Sequence, residues 1–177
     1  MWYVIWTRAG QEEQCKSVIN KKCDPATYRR LVVPKNEIKK KYGREWISEV
    51  QILFPSYVFV ETESIEEFAG ELEKIKVFRK LLKSEDLFLS VSPEEDERIF
   101  DLLDDEGVIS GSVGIKEDNG RVKVLKGPLV GKESLIKRID RHKRFAILEF
   151  EINGQKTAVK MMLEVLDYRE KVGVNEV

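Results

Sequence analysis

Histidine occurs once in this chain and cysteine twice, among 177 residues. A single imidazole and no Cys-x-x-Cys pair leave no spacing for a zinc site, and His142 has no partner with which to form a catalytic set. Cys15 and Cys23 stand eight residues apart in a predicted helix, about 12 Å of rise, which is too far for a disulfide. Reduced thiols fit a cytoplasmic protein. No run of 18 apolar residues exists, and WYVIWTRAG is too short and too aromatic for the apolar region of a secretion signal. An overall excess of charge is missing too, with 31 Lys or Arg against 32 Asp or Glu. The expectation is a soluble protein without catalytic centre, metal or cofactor, and with no membrane partner. At 42% hydrophobic residues it can bury one ordinary core, or a modest and a small one.

What charge there is lies unevenly. Residues 118–177 carry 13 basic and 9 acidic side chains, and residues 1–117 carry 18 and 23. Halves of opposite sign suggest two units with different partners.

WYVIWT predicts a strand, and QEEQCKSVINKKC a helix with Cys15, Val18, Ile19 and Cys23 at helical spacing, ended by Asp24-Pro25. RRLVVP is a strand, NEIKKKYGREWISEVQI a charged hairpin turning near Tyr42-Gly43, and LFPSYVFVE another strand. IEEFAGELEKI sets Ile65, Phe68, Ala69, Leu72 and Ile75 on one helix face. Short strands at VFRKLL and LFLSV lead to the helix SPEEDERIFDLL, with Ser92 as cap and Pro93 at the first position. Alternating strands and helices make residues 1–105 an α/β sandwich. EGVISGSVGIKEDNG has four glycines and little apolar periodicity, so 106–117 is expected to be a linker. Beyond it, RVKVL, SLIKRI, FAILEFEI, QKTAVK and LEVLDY predict five short strands, with Asn153-Gly154 as a hairpin turn, and hence a small β-barrel over 118–177. The class is α+β.

GPLVGKE offers a phosphate-loop look, but three residues rather than four separate its glycine from Gly-Lys, and Glu133 would repel a phosphate. The acids Glu94 to Glu97 sit where a helix N-terminus uses them structurally. In LFPSYVFVE, alternation directs Phe54, Ser56, Val58 and Val60 one way and Pro55, Tyr57, Phe59 and Glu61 the other. Either the protein's own helices cover both faces, or one aromatic face meets a partner; composition alone favours core. Between Arg121 and Arg144 nine basic residues face two acids. A tiny barrel cannot hide that density, so it forms an exposed positive patch of the kind that meets phosphate backbones, or else a merely solvated, edge-protecting surface.

Taken in order, these stretches resemble a known family. VKVLKGPLVGKESLIKRID resembles the KOW motif, an SH3-like barrel, and WYVIWTRAG, QEEQ, VVP and FPSYVFVE resemble the N-terminal domain of NusG-type transcription elongation factors. SPEEDERI, GVI, Gly-Ile-Lys and KRIDRHKR resemble most the specialised LoaP antiterminators. Three positions depart from the family pattern: Ser56 for the glycine common after Phe-Pro, Asn119-Gly120 for Gly-Asp, and Ser134 for a second barrel glycine. The resemblance implies a monomer that binds the clamp helices of the largest RNA polymerase subunit through Trp6, Phe54, Tyr57 and Phe59, with non-template DNA as a further contact. It also implies that the barrel binds a structured leader RNA hairpin, for which Lys132, Lys137, Arg138, Arg141, His142, Lys143 and Arg144 are the candidates. The alternatives are a housekeeping NusG whose barrel binds Rho or a ribosomal protein, and a ribosome-associated KOW protein.

Overall fold

A computed structural model describes residues 1–76, 78, 88–152 and 154–166. The chain divides into two compact units. Met1–Pro34, Ile52–Phe100 and Glu151–Gln155 form the first; Lys35–Gln51, Asp101–Phe150 and the chain from Lys156 onward form the second. The predicted strand VFRKLL lies outside the described residues, Phe78 excepted.

The first unit is a four-stranded sheet in the order β2-β5-β1-β6, from β1 (Trp2–Trp6), β2 (Arg30–Val32), β5 (Tyr57–Glu61) and β6 (Phe88–Ser90). Among the described residues its helices include α1 (Glu12–Lys22), α2 (Ile65–Glu73) and α3 (Pro93–Phe100). Local signals place these helices: Ser64 Oγ accepts from the Glu67 N–H at 3.2 Å, and Ser92 Oγ from the Glu95 N–H at 3.3 Å, each relieving an orphan donor of the first turn. Ile5, Val58 and Val60 pack on one face of the sheet with Cys15 and Ile19 of α1 and Phe68 and Leu72 of α2. On the other face Phe100 stacks on Trp2 at 3.6 Å and meets Phe59 edge-on at 5.6 Å. Both faces are therefore covered by the unit's own helices.

The second unit holds two sheets. A three-stranded sheet runs β4-β3-β7, from β3 (Lys35–Tyr42), β4 (Glu45–Ile52) and β7 (Val108–Ile109). A curled five-stranded sheet runs β10-β11-β12-β8-β9, from β8 (Ser112–Lys116), β9 (Val122–Lys126), β10 (Ile136–Asp140), β11 (Phe145–Ile152) and β12 (Gln155–Leu166). The α+β class, an N-terminal sandwich followed by a small five-stranded sheet, is as the sequence predicts.

Two expectations fail here for physical reasons. Residues 106–117 are no bare linker, because they contain β7 and β8, and β8 pairs antiparallel with β9 and parallel with β12. Their glycines serve close packing. A Cβ on Gly111 would lie 2.5 Å from the Met162 sulfur, and one on Gly114 2.8 Å from the Lys123 carbonyl. Conversely QKTAVK and LEVLDY do not begin as two strands: β12 runs unbroken from Gln155 to Leu166, and the last two residues of LEVLDY lie outside the described residues. The number five is right, and its membership is different. The Gly-Pro turn is equally constrained: Gly127 has φ +97°, and a Cβ there would meet the Gly111 carbonyl and Ser112 Oγ at 2.6 Å.

Candidate functional site

The aromatic candidates of the first unit separate by burial. Phe59 is fully buried and Phe54 is 1% exposed, with their rings 5.5 Å apart, so both are core and out of a partner's reach. Their placement corrects the expectation that all four aromatics meet a partner. Trp6 is half exposed and Tyr57 half-buried, and the two are directly opposed across β1 and β5. Beside Trp6 opens a cleft of about 520 Å³ whose walls include Arg8, Gln14, Cys15, Val18 and Phe78. Burial pushes the Cys15 thiol up to about 11, so it stays protonated and acts as an apolar wall, not a nucleophile.

The turn before β5 is held by a buried carboxylate. Glu12, 1% exposed at the start of α1, accepts from the Ser56 N–H at 2.7 Å. Burial alone would raise its pKa, but backbone N–H donors at Ser56, Glu12 and Gly10 outweigh that and leave it lowered. Ser56 itself has φ +74°. The left-handed conformation explains why the family pattern has glycine there, and it shows that strand alternation does not extend back to Phe54: β5 begins at Tyr57.

In the second unit the basic candidates fall into two groups. Lys137, Arg138 and Arg141 line one groove of about 710 Å³ together with Lys116 and Arg121. Regular alternation would turn Lys137 and Arg138 to opposite faces. A bulge prevents this: Ile136 pairs with Leu148 and Arg138 with Ile147, so Lys137 is the extra residue, and Lys137 and Arg138 are both exposed. Arg121 is set by a turn in which Asn119 Oδ1 accepts its N–H at 2.8 Å and Gly120 takes φ +82°. The one carboxylate in the groove, Glu133, accepts from the Val124 N–H at 3.0 Å. Hydrogen bonds from its own N–H and that of Val124 hold its pKa down.

The remaining candidates lie elsewhere. Lys132 pairs with Asp101 at 3.4 Å. His142 and Lys143 are exposed on the β10–β11 loop, where Asp140 Oδ1 accepts from the Lys143 N–H at 2.9 Å. Arg144 ends that loop with φ +56°, and its guanidinium sits 4.6 Å from the Trp46 ring centroid and 2.9 Å from Glu164. Arg144 is committed to the protein itself. Lys116 and Arg121 were not among the residues assigned to RNA: the first lay in the expected linker, and the second opens the dense basic stretch without having been singled out. Among the described residues no group of three His, Cys, Asp or Glu could hold a metal, and no helix is long and apolar enough to cross a membrane.

Comparison with known proteins bears on the first unit most. A family model described as "Transcription termination factor nusG" matches residues 1–100. Among solved structures the chain is similar to NusG of Thermotoga maritima, from a study of its domain interaction, at 25% identity over 91% of this chain and 92% of that one, with a TM-score of 0.49. It is also similar to a chain of the MjSpt4:Spt5 complex, at 16% identity over 94% of this chain and all of that one, with a TM-score of 0.31. No curated protein matches.

Proposed function

The chain belongs to the NusG family, and from that premise we propose that it is an elongation and antitermination factor of the LoaP kind, which rides on RNA polymerase and suppresses pausing or termination on selected operons. The Trp6–Tyr57 end of β1 and β5, with the cleft beside it, takes the polymerase clamp helices. An apolar cleft with an exposed indole at its rim suits a helix laid into a groove. The factor then favours the elongating state by its differential affinity for that state over the paused one.

The groove of the second unit takes the leader RNA hairpin, and the observation carrying this is its lining: five basic side chains with a single carboxylate. A-form RNA hides its base edges in a deep major groove, so a compact sheet grips phosphates and 2′-hydroxyls. Arginine supplies bidentate contacts. With about four to five phosphates engaged, at roughly 0.7 per contact, the log–log salt slope is roughly −3 to −3.5.

The test is a salt series by fluorescence anisotropy on the full chain with hairpin RNA, scrambled RNA and the matching DNA hairpin. The expected result is a preference for the hairpin RNA with that slope, and a slope shallower by about 1.4 when Arg121 and Arg138 are changed to Ala. Equal affinity for all three probes reduces the groove to nonspecific electrostatics. No binding at low salt favours the housekeeping alternative, a sheet that faces Rho or a ribosomal protein.

A further inference from the structure

The second unit contains another cleft, of about 510 Å³, framed by the β3–β4 hairpin, the β10–β11 loop and β12. Its composition differs from that of the groove. Trp46 and Phe145 form apolar walls, and Lys40, Lys41, Lys143 and Lys160 stand around them. The nearby acids are already neutralised. Glu164 takes both Lys39, at 3.0 Å, and Arg144, at 2.9 Å; Glu49 takes Lys40 and the Tyr42 hydroxyl, each at 2.6 Å. No carboxylate lines the cleft, so Lys41, Lys143 and Lys160 dominate its field.

The cleft's frame is well fixed. Asn36, fully buried, donates through Nδ2 to the Lys160 carbonyl, and Glu37 accepts from the Gly111 N–H at 2.9 Å. Arg144 backs the Trp46 ring from a left-handed backbone position, a conformation that costs a non-glycine residue energy and persists where contacts hold it. An aromatic wall ringed by lysines is more than an anion site. Flat apolar surface accepts a π-face, and the cations accept the charges that flank it.

We propose that this cleft holds an unpaired nucleotide of a polynucleotide strand, its base against Trp46 and its flanking phosphates among Lys41, Lys143 and Lys160. A volume of this order fits one nucleotide. A base within a duplex is already stacked and cannot enter, which gives the two basic surfaces different tasks: the groove grips a stem, and the cleft reads an unpaired residue. This rests on reading the chain as a nucleic-acid-binding factor. It does not depend on the groove being the stem site.

The experiment uses the full chain with labelled eight-nucleotide U-rich RNA, the T-rich DNA equivalent, a blunt RNA duplex and the leader hairpin. Anisotropy and tryptophan emission are followed together. Single strands are expected to bind with quenching of indole emission. Trp46→Ala should weaken them about five- to a hundredfold, the range for losing one stacked base, with blunt-duplex affinity unchanged. Trp46→Phe, which keeps a ring, should stay within about threefold. Because Trp46→Ala also removes the support of Arg144, a second variant combines Lys41→Ala with Lys160→Ala. These exposed lysines should take about 1.4 from the single-strand salt slope.

Unchanged single-strand affinity in Trp46→Ala, or an unchanged slope in the lysine pair, overturns the proposal. So does quenching of indole emission by an acidic aromatic peptide but not by RNA or DNA, which makes the cleft a protein site. The RNA and DNA arms separate the two sources of an unpaired base. Binding of single strands without the hairpin sinks the stem reading alone, and the reverse sinks this one alone.

Discussion

Trp6 and Phe59 lie in the same pair of strands, yet truncating them should have opposite consequences. Phe59 is fully buried between Phe54 and Phe100, at 5.5 and 5.6 Å. Removing a ring from such a site costs about 3 to 5 kcal/mol, the lost transfer energy plus the cavity left behind. At about 2 to 4 °C per kcal/mol for a chain of this size, Phe59→Ala should lower the melting temperature by about 6 to 20 °C. Trp6 is half exposed, so Trp6→Ala gives up only part of a ring's burial and should cost about 1 kcal/mol. An exposed indole at the centre of an interface is worth about 2 kcal/mol or more in binding, a loss of about thirtyfold in affinity for polymerase. Thermal unfolding followed by circular dichroism reads the first quantity, and titration of purified RNA polymerase with labelled factor reads the second. The reasoning is refuted if Phe59→Ala melts with the wild type while losing polymerase binding, since Phe59 would then be a surface residue. It is refuted equally if Trp6→Ala binds polymerase as well as the wild type does.

Two further outcomes follow from the same turn. Ser56→Gly relieves a left-handed residue and leaves the N–H bonded to Glu12, so it should stabilise the chain by about 1 kcal/mol, checked by the urea midpoint at unchanged m-value. Glu12 in that turn and Glu133 in the groove both have lowered carboxyl pKa values, which means that the stability they contribute is present above the ordinary value of about 4.5 and is lost as pH falls through their folded values. A pH series of urea midpoints should therefore be flat from pH 7 to 5 and fall below about 4.5, with a shallower fall in Glu12→Gln.

Legibility of the fold tracked the range of the interactions. Helices α1, α2 and α3 and the β3–β4 hairpin carry their signals within a few residues: Ser64 and Ser92 as caps, Pro93 after its cap, Gly43 at φ +61° in the hairpin turn. Strand β8 was hidden because its glycines mimic a flexible tether, whereas Gly111 and Gly114 are small because Met162 and the Lys123 carbonyl press on them. Fixing the boundary at 118 would cut β8 from between β12 and β9. Burial of Phe59 is what composition alone favours, and the family resemblance pointed the other way. Alternation gives the face on which a side chain lies, but only the return of α3, with Phe100, decides whether that face is covered.

Charge density predicted a patch and could not predict how it is shared. Of the seven basic residues first assigned to RNA, Arg144 is turned onto Trp46 and Glu164, and Lys132 onto Asp101, and all three partners come from far along the chain. An arginine in a left-handed position has no sequence signature, since composition would place glycine or asparagine there. The groove keeps Lys137, Arg138 and Arg141 and adds Lys116 and Arg121, from the turn that joins β8 to β9 and its flank. Its usefulness depends on the Lys137 bulge, which turns two consecutive cations outward where a regular strand would present one. Deleting Lys137 should therefore cost little more than Lys137→Ala does in the same anisotropy titration. Ile136 and Arg138 already pair with the adjacent Leu148 and Ile147, so the regular strand that deletion leaves keeps Arg138 facing the groove. A much larger loss would refute this register argument.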